Sequence, residues 1–383
     1  MCSYLPTFGV EEEFLIVDPV TGEPVPLGPA VVRLGRGTGS NLQEELTLFQ
    51  VETATHVHTE LESLLDELKT LRRTTAAHTE ASGGRLVAAG MPLTEVECGA
   101  EAVDNPRYRR IADEFGLISR ETAVCGCHVH VAVPDRGAAI QVGNYIRPWL
   151  PVLLALTANS AIYRATITGY ASWRNITWRR WPVSGPPPHF GTTAEYDARV
   201  DLLLASGTIL DSRMVYWDVR PSLAHPTVEI RVSDVPLSVA ETAVLAGLAR
   251  ALVASALTSI AEGLVPPILP DSALTAAYWR AARFGMGGDG FDPWNSRTLP
   301  ARAQLDRLLE YLEPVLTASG DQQFMDETLG AILARGNGAT RQLKAFQDGN
   351  SVPDVVAVLA DATLEGCRSG PDITHRLTAT NNR

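Results

Sequence analysis

Three glutamates stand side by side in an otherwise apolar stretch near the N-terminus, Gly9-Val10-Glu11-Glu12-Glu13-Phe14-Leu15-Ile16-Val17-Asp18. The β-branched and aromatic residues predict a strand that ends in a turn at Asp18-Pro19. Because neighbouring side chains on a strand point to opposite faces, Glu11 and Glu13 share one face and Glu12 lies on the other. Crowded carboxylates repel unless a cation lies among them, and hard divalent cations such as magnesium prefer oxygen ligands. The alternative is an edge strand that carries solvated acids.

The second face of this strand needs a different explanation. Alternation places Glu12 beside Val10 and Phe14, where a charge requires a partner. Arginine is the partner that we expect.

Cysteine and histidine alternate in Cys125-Gly126-Cys127-His128-Val129-His130-Val131, and both residue types are zinc ligands. On a strand, however, the two cysteines lie on one face and His128 and His130 on the other, so a single ion cannot readily gather both sets. No second cysteine pair follows at zinc-finger spacing. We therefore expect buried cysteines, and histidines that either serve a metal or phosphate or are held by hydrogen bonds.

Residues 226–235 (PTVEIRVSDV) alternate strictly between apolar and polar side chains, which predicts a strand with Glu229 and Arg231 on its polar face. The two residues form either a surface ion pair, worth less than about 1 kcal/mol, or a site. In a site, the acid holds a cation and the arginine bridges phosphate oxygens. Arg220, in Trp217-Asp218-Val219-Arg220-Pro221-Ser222, lies on a second short strand of this kind.

Arginines alternate with tryptophans in residues 168–191, which include Arg174 and Arg180. The segment is predicted to be a long irregular loop, either packed through cation–π contacts or acting as a lid that offers guanidinium groups to anions. Residues 336–342 (GNGATRQ) predict a helix break and restart, with Arg341 either facing a ligand or solvated. Glycine-rich phosphate motifs of the Walker or dinucleotide type are absent from the sequence.

Composition limits the possible partners. The chain has 383 residues, of which 45% are hydrophobic and 20% charged, as in soluble globular proteins. A net charge of −12 argues against nucleic acid and anionic membranes as partners, although a few placed arginines can still bind ATP. Five cysteines imply no disulfide framework, and no secretory signal or bilayer-spanning run is evident, so we expect a cytoplasmic protein. Ala243–Ile260 is interpreted as a buried helix.

Hydrophobic periodicity predicts the elements that position these residues. Strands are predicted at 9–18, 45–55, 85–89, 123–133, 215–220 and 227–235. Residues 18–40 are predicted to be turn and loop. Helices are predicted at 60–80, 106–122, 138–163 with a break marked by Pro148 and Pro151, 193–206, 238–262, 271–284, 300–318, 321–335 and 350–366. Strands early and helices late predict a single α+β domain over residues 1–383, mostly helical from about residue 238.

In chain order, these motifs resemble the glutamate–cysteine ligase type 2 family of carboxylate–amine ligases over roughly residues 8–345. The matching stretches are Gly9-Val10-Glu11-Glu12-Glu13-Phe14, Gln50-Val51-Glu52, Cys125–Val131, Ser172-Trp173-Arg174, Trp181–Pro187, Trp217–Ser222 and Pro226–Val235.

The resemblance implies a fold similar to the catalytic domain of glutamine synthetase, a curved and mainly antiparallel sheet that forms a funnel, with helices packed on its outer face. It implies that ATP and magnesium, or manganese, phosphorylate the side-chain carboxylate of glutamate, and that cysteine or another amine attacks the acyl phosphate. The metal ligands carried over by motif are Glu11, Glu13, Glu52, His128 and Glu229. The catalytic set is Arg231, which binds the transferring phosphate, with Glu229 and Arg220; the arginines expected to contact ATP are Arg174, Arg180, Arg231 and Arg341.

Two other functions stay open at this point. One is a zinc- or manganese-dependent hydrolase that uses His128, His130 and Glu13, and the other is a non-catalytic relative that binds a ligand. In each case the expected partners are small molecules, and a homo-oligomer stays open.

Overall fold

The computed structural model of the chain describes residues 5–38, 41–96, 105–121 and 123–367. Its strands are β1 (Phe8–Val17), β2 (Leu42–Glu44), β3 (Gln50–Ala54), β4 (Arg85–Val87), β5 (Gly126–Ala132), β6 (Ile162–Tyr163), β7 (Thr166–Ile167), β8 (Ser184–Gly185), β9 (Tyr216–Trp217), β10 (Val219–Pro221), β11 (Thr227–Asp234), β12 (Asp289–Asp292) and β13 (Arg297–Pro300). Its α-helices are α1 (Gly28–Thr38), α2 (Leu61–Ala81), α3 (Pro106–Phe115), α4 (Leu117–Glu121), α5 (Arg136–Ile146), α6 (Leu150–Thr157), α7 (Trp173–Trp178), α8 (Thr193–Ala205), α9 (Val239–Ala261), α10 (Asp271–Phe284), α11 (Ala301–Ser319), α12 (Gln322–Arg335), α13 (Gly338–Gly349) and α14 (Val352–Thr363).

A seven-stranded sheet organises the fold, in the order β10-β11-β5-β1-β3-β2, with β4 paired to the end of β1. All of its strand pairs are antiparallel. Helices α2 and α9 pack against one face, where Phe8 and Val10 of β1 join apolar residues of β5 and β11 in one buried cluster. The second half of β1, from Phe14 to Val17, belongs to another buried cluster. The predicted class, α+β with a mainly antiparallel sheet and helices on its outer face, is confirmed.

The alternation on β1 and β11 has the predicted consequences. On β11, Val228, Ile230 and Val232 are buried in the core. Cys125 and Cys127 are fully buried free thiols, as expected, whereas Cys2 and Cys98 lie outside the described residues.

Glu12 is paired with an arginine, which confirms the expectation for this face of β1. Both side chains are fully buried, and Arg72 of α2 donates from Nη2 and Nε to the carboxylate at 2.6 and 3.2 Å. The remaining guanidinium hydrogen bonds reach the Thr242 hydroxyl and the carbonyls of Pro236, Leu237 and Thr363. One guanidinium therefore ties β1 to α2, α9 and the end of α14.

Among the described residues, one helix is long and apolar enough by composition to cross a membrane, namely α9. Most of it is buried inside the fold, and the side chain and charge of Arg250 are buried with it beside Asp321. The interpretation of this segment as a buried helix is confirmed.

Several predicted boundaries are wrong. Residues 28–38 form α1 rather than loop. Of the strand predicted at 45–55, only β3 is a strand, and residues 45–49 connect it to its hairpin partner β2. The break predicted within 138–163 is confirmed, because α5 ends at Ile146 and α6 begins at Leu150, but the segment ends in a short strand rather than in helix. The β12–β13 hairpin was not predicted, whereas the helix break and restart predicted at 336–342 is confirmed, because α12 ends at Arg335 and α13 begins at Gly338. The predicted helix at 106–122 is divided between α3 and α4, and its last residue, Thr122, lies outside the described residues.

Candidate active site

The sheet face opposite α2 and α9 forms the floor of a cavity of about 390 Å³. Strand register sets its charged side chains opposite one another in three cross-strand pairs: Glu13 with Glu52, Glu11 with His128, and Glu229 with His130. All six residues line the cavity. Four adjacent strands, β3, β1, β5 and β11, thus bring together residues that are far apart in the sequence.

The potential metal ligands form two groups. One contains Glu11, His130 and Glu229, and the other contains Glu13, Glu45 and Glu52; within each group, one ligand atom per residue lies within 4.8 Å of the others. The predicted metal set is therefore divided between two positions. His128 lies between them, with Nδ1 at 3.2 Å from Glu11 and Nε2 at 3.8 Å from Glu13.

Three carboxylates crowd together in the second group with little compensating charge. Burial, followed by the charge of Glu45, raises the pKa of Glu52 well above its ordinary value. Burial also raises the pKa of Glu13, despite the nearby His128 and a 2.5 Å hydrogen bond from the Gly126 amide. Such a group favours either protons or a bound cation.

In the first group, histidine and arginine side chains offset part of the negative charge of Glu11 and Glu229. Burial alone would raise the pKa of Glu11, but hydrogen bonds and charge from His128 and His130 outweigh it, so the pKa lies well below its usual range. Burial and the adjacent Arg231 lower the pKa of His128, whereas contact with Glu11 outweighs burial and raises that of His130. A neutral His128 keeps a lone pair for a metal or a hydrogen-bond donor.

Glu229 is held between two arginines. Nε and Nη2 of Arg220 donate to its two oxygens at 2.8 and 3.2 Å, and Nη1 of Arg231 donates to Oε1. Burial would raise the pKa of Glu229, but the charges of Arg231 and Arg220 outweigh it and hold the pKa well below its ordinary value. Nη1 of Arg220 also donates to the carbonyls of Arg213 and Val215, so this guanidinium holds Glu229 in place, and Arg220 itself lines the cavity. Its catalytic role stays a prediction.

Arg174 extends into the cavity from α7. Arg174 is only 4% exposed. Its guanidinium nitrogens Nη1 and Nη2 lie 3.5 Å from the backbone carbonyls of Val232 and Arg231, which is the limit for a hydrogen bond. The buried Nε atoms of Arg174 and Arg231 have no hydrogen-bond partner within the described part of the chain. Both guanidinium groups thus keep bonding capacity for an anion.

Arg180 and Arg341 do not line this cavity. Nη1 of Arg180 donates to Glu121 at 2.7 Å, and both side chains are partly exposed. Arg341 lies 3.7 Å from Glu365, beside α14. The structure therefore does not bring these two arginines together with Arg174 and Arg231 in this cavity, and their contact with ATP stays a prediction.

Aromatic residues form the cavity wall above the charged floor. The rings of Trp178 and Tyr216 lie 4.9 Å apart, and Tyr216 meets Trp181 edge-on at 5.6 Å. Residues 168–191 are not one long irregular loop, because they contain α7 and the strand β8, which pairs with β9. Since Arg174 and Trp181 are buried, the segment forms a packed wall of the cavity, which favours the packed interpretation over the lid.

Sequence reasoning missed Glu45 and left His130 outside its metal set. A continuous strand over 45–55 would have put Glu45 on the face opposite Glu52. The β2–β3 hairpin, in which Gln43 pairs with Glu52, instead returns Glu45 to the same side. The signal for His130 was present, because it shares its strand face with His128.

The donor set fits magnesium in one position better than in the other. The all-carboxylate group of Glu13, Glu45 and Glu52 matches the oxygen preference of a hard cation. The group with His130 combines a nitrogen with two carboxylates, which also suits manganese.

Solved structures with the same fold are ligases. A Francisella tularensis glutamate–cysteine ligase in complex with AMP superposes with a TM-score of 0.66 at 13% identity, covering 96% of this chain and 89% of that one. A bifunctional glutathione synthetase from Pasteurella multocida gives a TM-score of 0.66 at 16% identity, covering 94% of this chain and 52% of that one. The sheet and its helical outer layer thus define the fold class of these ligases.

Sequence comparison gives the family. The profile of glutamate–cysteine ligase family 2 matches residues 7–358. A Nocardia farcinica protein, named as a candidate glutamate–cysteine ligase 2-1, is 55% identical over 366 residues, which cover 96% of this chain and 95% of the relative. The chain belongs to glutamate–cysteine ligase family 2, and it is an ATP-dependent carboxylate–amine ligase. The hydrolase and non-catalytic alternatives are not favoured.

Proposed function

We propose that this ligase binds magnesium at the two acidic groups, phosphorylates the side-chain carboxylate of glutamate with ATP, and transfers the acyl group to cysteine or another small amine. The observation that carries the proposal is the meeting of both acidic groups with Arg174 and Arg231 in one cavity. Acids without arginines would suit a simple cation site, and arginines without acids a simple anion site. Phosphoryl transfer between two anions needs both.

Glu13, Glu45 and Glu52 would hold one magnesium ion, and Glu11, Glu229 and a histidine a second. When bound, magnesium neutralises charge on the phosphates of ATP and on the transferring group. The acids of this chain would fix the ion on the floor of the cavity, and Glu229 would be kept in place by Arg220.

Arg231 and Arg174 would bind phosphoryl oxygens, because each is buried, charged and incompletely hydrogen-bonded. A carboxylate oxygen of the acid substrate attacks the γ-phosphorus, the bond to the β–γ bridging oxygen breaks, and ADP leaves. The amine then attacks the acyl carbon, inorganic phosphate departs, and the amine loses a proton. Neither step requires a nucleophile from the protein, so positioning and electrostatic stabilisation account for catalysis.

The acyl phosphate must be protected from water. Trp178, Trp181 and Tyr216 line the cavity above the acids and support this requirement by replacing solvent with apolar surface. We further propose that the chain works as one catalytic domain in the cytoplasm, which is compatible with its free buried thiols.

The test is ADP release from ATP and glutamate, screened across cysteine, other amino acids and small amines. Glu229→Gln should lower the rate by about 100-fold or more, because it removes one metal-facing charge and releases Arg231. The matched control is Glu121→Gln, which also removes an acid paired with an arginine but lies outside the cavity; it should keep the wild-type rate. A Glu229→Gln protein that is folded and turns over ATP at the wild-type rate would refute the metal assignment.

A further inference from the structure

Asp234, the last residue of β11, is a fully buried carboxylate next to the cavity. Oδ2 accepts hydrogen bonds from the backbone amide of Asn159 at 2.8 Å and from the Ser160 hydroxyl at 2.7 Å. Oδ1 accepts one from the Ser172 hydroxyl at 2.8 Å. A buried carboxylate with three neutral donors is well satisfied, but its negative charge is left without a close bidentate partner.

Both serines lead from Asp234 to Arg174. The Ser160 hydroxyl accepts a hydrogen bond from the Arg174 amide at 3.0 Å, and Ser172 is the N-cap of α7, the helix that carries Arg174. Nη1 of Arg174 lies 3.7 Å from Oδ1 of Asp234. The aspartate therefore restrains Arg174 at its backbone, through the helix cap and through its charge.

Space for the guanidinium is provided by a glycine. A Cβ at Gly126 would overlap Nη2 of Arg174, and the same glycine donates its amide hydrogen to Glu13. The position of the guanidinium is thus fixed next to an acid of the carboxylate group, on the cavity side of β5.

The Arg174–Asp234 pair differs from the buried Arg72–Glu12 ion pair on the opposite face of the sheet. Arg72 uses all three of its guanidinium nitrogens in hydrogen bonds of 3.2 Å or less to Glu12 and its neighbours. Arg174 leaves Nε without a partner among the described residues and contacts Asp234 only at 3.7 Å. An arginine that served packing alone would have its donors satisfied once it was buried.

We propose that Asp234 is a positioning residue that aims the guanidinium of Arg174 at the phosphate oxygens of ATP. The inference rests on the proposed function, in which Arg174 contacts ATP. It also explains the motif at 336–342, since Gln342 donates to the side-chain and backbone oxygens of Asn159 at 2.8 and 2.7 Å and so holds the residue whose amide binds Asp234. Helix α13 thereby supports the cavity from outside it.

The experiment measures binding of the ATP analogue AMPPNP with magnesium by calorimetry in Arg174→Ala, Asp234→Asn and the double variant. Each single variant should weaken binding by about tenfold to a hundredfold, because each loses well-aimed charge-assisted hydrogen bonds. The double variant should be within about twofold of Arg174→Ala, since Asp234 acts through that side chain. The matched control is Asp292→Asn, a buried aspartate paired with Arg307 outside the cavity, and it should bind AMPPNP as the wild type does.

Chemical rescue adds a readout that a purely structural role would not change. Methylguanidine, at a concentration that does not denature the protein, should restore ADP formation to Arg174→Ala but not to the double variant. Additive losses in the double variant, or normal binding by Asp234→Asn, would overturn the inference.

If Asp234→Asn does not fold, Ser160→Ala replaces it, because the Ser160 hydroxyl donates to Asp234 and accepts from the backbone amide of Arg174. Binding of AMPPNP by Ser160→Ala as tight as wild type would then overturn the inference, and weakened binding that is absent when Ser160→Ala is added to Arg174→Ala would support it. A wild-type protein that binds AMPPNP but forms no ADP with any acid and amine would refute the ligase proposal alone.

Discussion

Replacing Glu12 with glutamine should destabilise the fold, although its neighbours Glu11 and Glu13 line the cavity. Glu12 and Arg72 are both fully buried, and the guanidinium also binds groups at the start and within the first turn of α9 and at the end of α14. Removing one partner of a buried pair leaves the other charge uncompensated, which costs about 3–5 kcal/mol.

The expected change in melting temperature follows from chain length. An unfolding entropy of about 2.1 cal/mol/K per residue gives roughly 0.8 kcal/mol/K for 383 residues, so Glu12→Gln should lower the melting temperature by about 4–6 °C. Thermal unfolding followed by circular dichroism measures the shift, and ADP release at 25 °C or so shows whether the cavity is intact.

The matched control is Glu11→Gln, one residue away on the opposite face. The Glu11 side chain is partly exposed and pairs with histidines, so the substitution should lower ADP release strongly and shift the melting temperature by less than half as much. The reasoning fails if Glu12→Gln melts within about 1 °C of wild type, or if Glu11→Gln is the less stable of the two.

Three further predictions concern the cavity and its surroundings. Because burial raises the folded pKa values of Glu13 and Glu52, their contribution to stability is complete below the unfolded pKa of about 4.3 and is lost as pH rises through the raised values. Magnesium should therefore raise the melting temperature more at about pH 8 than at about pH 5, and an equal gain at both would contradict the assignment. Cys127→Ala should cost about 1 kcal/mol of stability in denaturant unfolding while leaving turnover nearly unchanged, because this thiol is fully buried on the outer face; loss of turnover in a stable protein would implicate it in the site. Arg180→Ala should leave the KM for ATP within about twofold of wild type, whereas Arg174→Ala should raise it by about tenfold or more, as steady-state kinetics can measure.

The sequence predicted side-chain faces better than it predicted where chains turn. Alternation alone separated Glu12 from its two neighbours and gave it an arginine, because a strand has a fixed period of two. It also put Glu229 and Arg231 on the polar face of β11. These inferences need only local geometry.

The wrong predictions of secondary structure arose where tertiary packing, rather than local sequence, determines the element. Helix α1 contains Gly28, Gly35 and Gly37, a composition that disfavours helices, but Val31 and Val32 are fully buried against the sheet. Pro29 in its first turn is typical of a helix start, because proline is favoured at the first positions of a helix.

The arginines show a similar limit. Residue type gives the charge of Arg174 and Arg180 equally, but only the packing of α7 turns the first toward the cavity and leaves the second beside Glu121. Glu45 was missed for a related reason, since its place depends on a hairpin that no strong turn motif announced.

The run of three acids on β1 has a consequence for how the strand finds its register. A slip of one residue normally exposes an apolar side chain to water and buries a polar one, and that penalty rejects the error. On this strand a slipped chain would still present an acid to each face over residues 11–13, so the acids discriminate poorly between registers. The preference for the native register must come from the buried Val10 and Phe14 on either side and from the hydrogen bonds of Arg72 to the Glu12 carboxylate. The pairing of Arg72 with Glu12 therefore favours the observed register of β1 over one shifted by a single residue.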